Sequence, residues 1–508
     1  MDNSGHSKRI AKNTLFLYFR MAIGMFVSLY TSRVILATLG VEDFGIYNVV
    51  GGVIVFFTYT SVSLAQASQR YFSAALGESN LEKFSNTFSV SIILHIILIV
   101  IILIVGESLG YWFVNNKLNI PLQRMEAMNF VFHFSLLGAC VSVLSVPYNS
   151  MIIANERMKF YAYISISDII LKLLIVFLLP IFNFDKLKFF SFLIFLTGLV
   201  NILCLKIYCD INFKVKFSFV KDKLLFVNLL GFSGWSFISS VVNYSAIYGI
   251  GFVVNIFHGV IVNAAIAIAD RVNNAIYSFV GNFQVAYQPM LVKSYVAGDK
   301  NLFESLFLRG IKMSFFLYFI FAIPFILNME FILNIWLKNP PEQATIFCQW
   351  MLINFLVVSL ITPMGIAIIA TGNIKNSSIV NSIITSSTII FSYIFLKLGF
   401  VPVVVLIILF AVRFTCLFTY IYFIHSQIKL SFFWFWKQVF SKIFAISLIS
   451  VTLPLIISFY LAEWQALLAT AISFLLTFLP SLWFIGLSSE ERHALQKIIG
   501  EKKPHYKG

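Results

Sequence analysis

Arg33, Lys172, Arg271 and Arg413 are four cations set inside long apolar stretches of a 508-residue chain, and Arg20 is a fifth. Only Asp168 and Asp270 share such positions, so positive charge is in surplus. If those stretches cross a bilayer, a cation facing lipid costs at least ~2.5 kcal/mol, and each should face protein or water instead. A surplus of guanidinium in such surroundings suits an anionic ligand. Phosphate or diphosphate fits best, because arginine grips it through two parallel hydrogen bonds. Arg33, Arg271, Arg413 and Lys172 are therefore the candidate diphosphate ligands. Asp168 and Lys172 are four residues apart on one helical face and are expected to pair. Asp270 and Arg271 are sequence neighbours that diverge by about 100° on a helix, so pairing is not required of them. Arg20 and Arg33 lie near enough to a span end to snorkel, whereas Arg413 sits mid-span. Asp168 and Asp270 are the candidates for a coupling proton or Na+.

Hydroxyls and amides form a second set. Gln66, Ser236, Ser240, Asn243, Tyr244 and Asn274 stand out as residues able to line a wet cavity. Around them are Ser61, Ser63, Ser68 and Gln69, the rest of the polar run Ser233 to Ser245, and Asn263, Asn273, Gln284 and Gln288. Such content is costly against lipid and natural against a wet cavity. Helix packing through small polar residues is the competing explanation, and the better one for any single serine. His95 and His133 are lone histidines in apolar stretches, read as satisfied core residues in preference to a proton relay. The five cysteines form no C-x-x-C pair and sit near no histidine at metal-ligand spacing, so no metal site is expected. There is no H-E-x-x-H, G-x-S-x-G or P-loop, and no loop large enough to hold an extramembrane active site, which argues against an enzyme.

The elements that carry these residues are membrane helices. The chain is 60% hydrophobic and 11% charged, against ~25% charged in soluble domains. Fourteen apolar runs of spanning length lie at about 13–38, 44–66, 86–105, 127–151, 160–181, 187–208, 227–256, 261–287, 311–335, 345–370, 377–397, 401–424, 438–460 and 466–487. All connections are short, the longest outer one being GESLGYWFVNNKLNIPLQRM. The first run carries Arg20 and lacks a cleavage pattern, so it reads as a retained span and not a signal peptide. With the N-terminus inside, most of the 36 basic residues fall in cytoplasmic segments, which places both termini in the cytoplasm. The +15 net charge is then mainly this topological signal plus attraction to anionic lipid, not a nucleic-acid surface.

The chain also repeats itself. LSVPYNSMIIANERMK from Leu144 and LITPMGIAIIATGNIK from Leu360 share L-x-x-P-x4-I-I-A-x4-K, displaced by 216 residues. GESNL from Gly77 is echoed by GDKNL from Gly298. Six spans separate the copies, and an even number makes the halves parallel repeats. Pro147 and Pro363 fall inside their helices, where each removes a backbone hydrogen bond and is a candidate hinge. The expected organisation is all-α and polytopic: a lobe over 1–210, a linker over 211–226, a second lobe over 227–424, two further spans to 487 and a basic tail over 488–508. Two six-helix lobes would enclose a central cavity.

The opening RIAKNTLFLYFRMAIGMFVSLYTSRVILATLGVEDFGIYNVVGGVI, residues 9–54, resembles the start of bacterial polysaccharide transporters. These are the O-antigen flippase (Wzx-type) group of the multidrug/oligosaccharidyl-lipid/polysaccharide exporter superfamily. The turn LGVEDFGIYN, Leu39 to Asn48, is its most specific piece, and Arg33 lies in the family-like TSRVIL stretch. The resemblance implies alternating access and movement of an undecaprenyl-diphosphate-linked oligosaccharide, an O-antigen or capsule repeat unit, across the bacterial inner membrane. No cofactor is expected beyond a coupling proton or Na+, and the expected partners are the lipid-linked substrate, membrane lipids, a polysaccharide polymerase and glycosyltransferases. A lipid II flippase and a cation-coupled multidrug exporter of the same superfamily are the alternatives. The exporter is the weaker one, since acidic cavity residues would suit a cationic cargo and the first span has two arginines and no carboxylate.

Overall fold

The computed structural model describes residues 3–487 apart from 60, 79, 156, 183, 214, 216, 219–222 and 372, together with 492. Within helices, side chains are not described at 3–23, 55–59, 231–247 and scattered positions that include 66. All regular structure among the described residues is helical, as expected. Among the described residues, twelve helices are long and apolar enough to span a membrane. Two of these are double, because α1 (Asn3–Tyr59) and α8 (Lys223–Val296) each contain one non-helical residue, Gly40 and Gly259. The two breaks fall where spans 1 and 2, and spans 7 and 8, were expected to separate, which reconciles twelve helices with fourteen spans.

Gly40 has φ 81° and ψ 168°, and Gly259 has φ 74° and ψ −170°. That region is essentially open to glycine alone and costs other residues about 1–3 kcal/mol. Nothing lies within 4 Å of a Cβ built on Gly40, so its cost on substitution is backbone strain and not collision. Gly40→Ala and Gly259→Ala should each lower unfolding stability by about 1–3 kcal/mol, read as a reduced melting temperature of the purified protein.

These glycines are 219 residues apart and extend the sequence echo into structure. The helices α3 (Leu81–Val105), α5 (Met125–Ala154), α6 (Met158–Leu178) and α7 (Lys186–Phe213) begin at 81, 125, 158 and 186. Their counterparts α9 (Lys300–Leu327), α11 (Ala344–Thr371), α12 (Lys375–Lys397) and α13 (Val404–Ile428) begin at 300, 344, 375 and 404. Even the caps recur: Asn80 Oδ1 accepts from Lys83 N and Asp299 Oδ1 from Leu302 N. Pro147 and Pro363 are buried at matching places in α5 and α11, and both helices run through them.

The residues cluster into two compact units. One comprises residues 1–271, 339–344 and 382–408, the other 272–338, 345–381 and 409–508. In the first, α5 is the hub, packing on α1, α3, α7 and α2 (Val62–Gly77). Its buried small residues Ala127 and Ala139 suit that role, since close helix approach in lipid depends on small side chains. Gly106 was expected to start a loop. Instead α3 continues through a π turn, Gly106–Gly110, into α4 (Tyr111–Asn116). The glycine serves packing, since a Cβ on it would stand 2.7 Å from Leu136 Cδ1.

The second unit has a phenylalanine-rich core that includes Phe307, Phe319, Phe474 and Phe478. The last two spans, α15 (Ser441–Tyr460) and α16 (Glu463–Ser481), belong to it. A cation not anticipated in the sequence helps attach them: Lys312, buried within α9, donates from Nζ to the carbonyl of Gly486 at 3.0 Å. Gly486 ends the helical run after α16, where carbonyls lack intrahelical donors and favour positive charge.

Candidate functional site

Arg413 has the most developed surroundings of the predicted cations. It projects from α13, and its guanidinium carbon lies 4.8 Å from the centre of the Phe355 ring on α11. The phenols of Tyr277 on α8 and Tyr318 on α9 are within its electrostatic reach. Four helices of the second unit thus converge on one cation. Tyr277, Tyr318 and Phe355 pack ring to ring, with centroids 5.1–6.5 Å apart.

Behind the rings runs a chain of hydrogen bonds. Tyr277 Oη lies 3.1 Å from Thr362 Oγ1 and donates to Gln284 Oε1 at 3.3 Å. Gln284 Nε2 donates to Ser314 Oγ at 3.2 Å, and Tyr318 Oη donates to Asn273 Oδ1 at 2.7 Å. Thr362 immediately precedes Pro363, so the network ends next to the residue expected to act as a hinge. Buried hydroxyls and amides in lipid need partners, and here they supply one another.

This alters the reading of the polar residues in the eighth span. Asn273 and Gln284 are buried and bonded as above. Asn263 donates to the Gly251 carbonyl at 2.8 Å and accepts from Asn255 at 2.9 Å. Packing, the competing explanation, accounts for these three. Asn274 differs, being exposed on α8. The side chains of Gln66, Ser236, Ser240, Asn243 and Tyr244 lie outside the described residues.

Arg33, Lys172 and Arg271 belong to the first unit. Arg33 is half-buried in α1, and Arg271 is exposed on α8 within electrostatic reach of the Tyr47 phenol. Lys172 forms the expected pair with Asp168, Nζ to Oδ2 at 2.6 Å, and Asn201 donates to the other carboxylate oxygen at 2.9 Å. That pair is locally neutral and leaves the surplus of intramembrane cations with the arginines. Asp270 is exposed.

The histidines depart from expectation. His95 is fully buried with Nδ1 2.7 Å from the Ser91 carbonyl, but its Nε2 has no hydrogen-bond partner among the described residues. His133 is half exposed, 3.0 Å from Glu107 and stacked on Tyr111, so it is no core residue.

A second charged constellation was missed, because its members are far apart in sequence. Arg124, just before α5, holds Asp43 in a bidentate grip at 2.7 and 2.6 Å and Asp185 at 2.8 and 3.3 Å. Asp185 also caps α7, accepting from the N–H groups of Leu187 and Lys188 at 3.1 Å. Three connections at one end of the first unit are thereby fastened together. Partial burial pushes the Asp185 carboxyl up, but the hydrogen bond from Arg124, the capping N–H groups and the guanidinium charge together hold it below the usual carboxylate range. A carboxyl lowered by folding contributes stability above its unfolded pKa and loses it as pH falls through the folded value. Arg124→Ala should therefore destabilise by about 2 kcal/mol at pH 7. The deficit should shrink as pH falls from the usual carboxylate range through the lowered folded value of Asp185; melting curves of both proteins across pH 3–7 test this.

No protein-family model matches the chain, and no curated protein matches it in sequence. Solved structures do match in fold. The lipid II flippase MurJ, in an inward closed conformation, aligns with a TM-score of 0.71 at 16% identity, covering 92% of this chain and 98% of that one. An inward-facing multidrug resistance MATE family transporter of the MOP superfamily aligns at 0.54 and 15% identity, covering 94% and 98%. A MOP superfamily transporter from Pyrococcus furiosus, described as having a binding pocket of reverse polarity, aligns at 0.58 and 19% identity, covering 82% and 95%. The chain therefore has the fold of the MOP-superfamily transporters, a multi-pass membrane architecture. Those neighbours are transporters and not enzymes.

Proposed function

We propose that this protein is a flippase that carries an undecaprenyl-diphosphate-linked oligosaccharide, an O-antigen or capsule repeat unit, across the cytoplasmic membrane by alternating access. The observation that carries the reading is the surplus of arginines over carboxylates within the apolar spans, which remains after Lys172 and Asp168 pair with each other. Arg33, Arg271 and Arg413 hold the diphosphate, the only strongly anionic part of such a cargo. Serine, asparagine and tyrosine of spans 2, 7 and 8 meet the sugars. The polar head would otherwise cross hydrocarbon, where a single charge on an isolated helix costs of order 10 kcal/mol. The polyprenyl tail stays in lipid.

In this reading residues 1–210 and 227–424 are the rocking lobes, with Pro147 and Pro363 as hinges. Asp168 and Asp270 are the candidates for a coupling proton or Na+, and Asp168 holds its site together with Lys172 and Asn201. Both termini lie in the cytoplasm. A polysaccharide polymerase and glycosyltransferases are the proposed partners.

The second reading is lipid II as cargo, supported by the fold likeness to MurJ. Both cargoes share the diphosphate and differ in the sugar. Vesicles containing the purified protein and either a fluorescent lipid-linked oligosaccharide or fluorescent lipid II separate the two. Faster movement of the oligosaccharide is expected; movement of lipid II alone would transfer the assignment, and movement of neither would end it.

A further inference from the structure

A cavity of about 730 Å³ in the first unit is lined by Phe88, Ile92 and Ile96 of α3, Tyr148 of α5, Lys206 and Asp210 of α7, and Val215 and Phe217 beyond it. Both α3 and α7 pack on α5, so the cavity is the end of a furrow walled by the first two and floored by the third. Its apolar wall continues along α3 through Ile96, Val100 and Ile104, one turn apart and 45–64% exposed. Lys206 and Asp210 are both exposed at the mouth. They lie at the α7 end next to the basic linker, the side proposed as cytoplasmic.

Opposite charges four residues apart would ordinarily be read as an internal pair, yet no ion pair joins these two among the described residues. Two physical features disfavour one. A lysine N-terminal to its acid is the weaker orientation for such a pair. In addition, Asp210 occupies the last turn of α7, which ends at Phe213, and the helix dipole there opposes negative charge and favours a cation. Asp210 lines the cavity together with Tyr148 and Lys206.

We propose that this furrow binds a zwitterionic aminophospholipid, phosphatidylethanolamine, as a resident lipid. The phosphate sits on Lys206, the primary ammonium donates to Asp210 and one acyl chain lies along Ile96, Val100 and Ile104. The two charges are ~6 Å apart along the helix axis, a step that a phosphoethanolamine bridges with its two methylenes. An anionic headgroup would satisfy Lys206 and be repelled by Asp210. A choline headgroup would satisfy the charges but has no N–H to donate. The site is separate from the residues assigned to the transported cargo and does not depend on that assignment.

The test is native mass spectrometry of the full chain after equilibration with equal amounts of phosphatidylethanolamine, phosphatidylglycerol and phosphatidylcholine of identical acyl chains. Phosphatidylethanolamine should be retained over each of the others by about fivefold, the scale of one partly exposed charge contact. Asp210→Asn should erase that preference, and Lys206→Gln should lower retention of all three. Ile96→Trp, which fills the furrow from an exposed position, should lower retention while leaving the order of preference unchanged. Equal retention of the three lipids, a preference for phosphatidylglycerol, or a preference that survives Asp210→Asn would overturn the proposal.

Discussion

Arg413→Ala is expected to reduce movement of a diphosphate-linked lipid in reconstituted vesicles by at least about a hundredfold, the scale of losing one partner from a buried, hydrogen-bonded charge contact. The protein should still accumulate. Among what the native fold loses with the guanidinium is its contact with Phe355, worth about 0.5–2 kcal/mol. Arg413→Lys is the informative companion. It keeps the charge and loses the planar fork that grips two phosphate oxygens at once, so an intermediate rate is expected, roughly tenfold below the parent. Phe355→Leu keeps both and removes the aromatic face under the guanidinium together with the ring contacts to Tyr277 and Tyr318, for a loss of a few-fold. The series separates three contributions: charge, geometry and positioning. Normal transfer by Arg413→Ala, with protein present in the vesicles, would remove this residue from the site. Equal rates for Arg413→Ala and Arg413→Lys would mean that charge counts for little.

Much of the fold is legible in the sequence because the bilayer imposes a coarse rule: an apolar run of about twenty residues must be a helix, since lipid offers no other partner for the backbone. The repeat is legible too, and the structure adds to it the matched breaks at Gly40 and Gly259. The Asp168–Lys172 pair could be foreseen because it is local, one turn of one helix. The Arg124 clamp could not, because Asp43, Arg124 and Asp185 are 81 and 61 residues apart and nothing in any one segment names its partners. Lys312 escaped notice for a related reason. It falls at the margin of an apolar run, where a lysine reads as a snorkelling end residue, and only the arrival of the Gly486 carbonyl from a distant helix makes it internal. The amides of the eighth span show the limit from the other side. Composition marks Asn263, Asn273 and Gln284 as unsuited to lipid, but a wet cavity and a neighbouring helix satisfy an amide equally well, and only packing tells them apart.

Packing also explains why the turn LGVEDFGIYN is so particular a piece of sequence, and it sets the largest expected loss of stability. Gly40 takes the backbone through a region closed to other residues, Asp43 receives Arg124, and Gly45 admits another helix. A Cβ on Gly45 would overlap the backbone carbonyl of Val260, just past the Gly259 break. A crowded side chain can change rotamer, but a carbonyl held in a helix cannot, so relief requires moving α8. Overpacking costs about 1–3 kcal/mol even where side chains can adjust. Gly45→Ala is therefore expected to cost about 3 kcal/mol or more, and Gly45→Val to leave little folded protein, both read from the melting temperature and the monodisperse yield in detergent. Gly51, six residues further along the same helix, is the control: nothing lies within 4 Å of its built Cβ. Gly51→Ala should leave stability unchanged or raise it by up to about 1 kcal/mol, because alanine loses less conformational freedom in a helix. If both alanines were tolerated equally, the close approach at Val260 would not be part of the folded protein. If only Gly45 is intolerant, this stretch is explained by how tightly the two glycine-broken helices meet, and the search for cargo contacts narrows to the arginines.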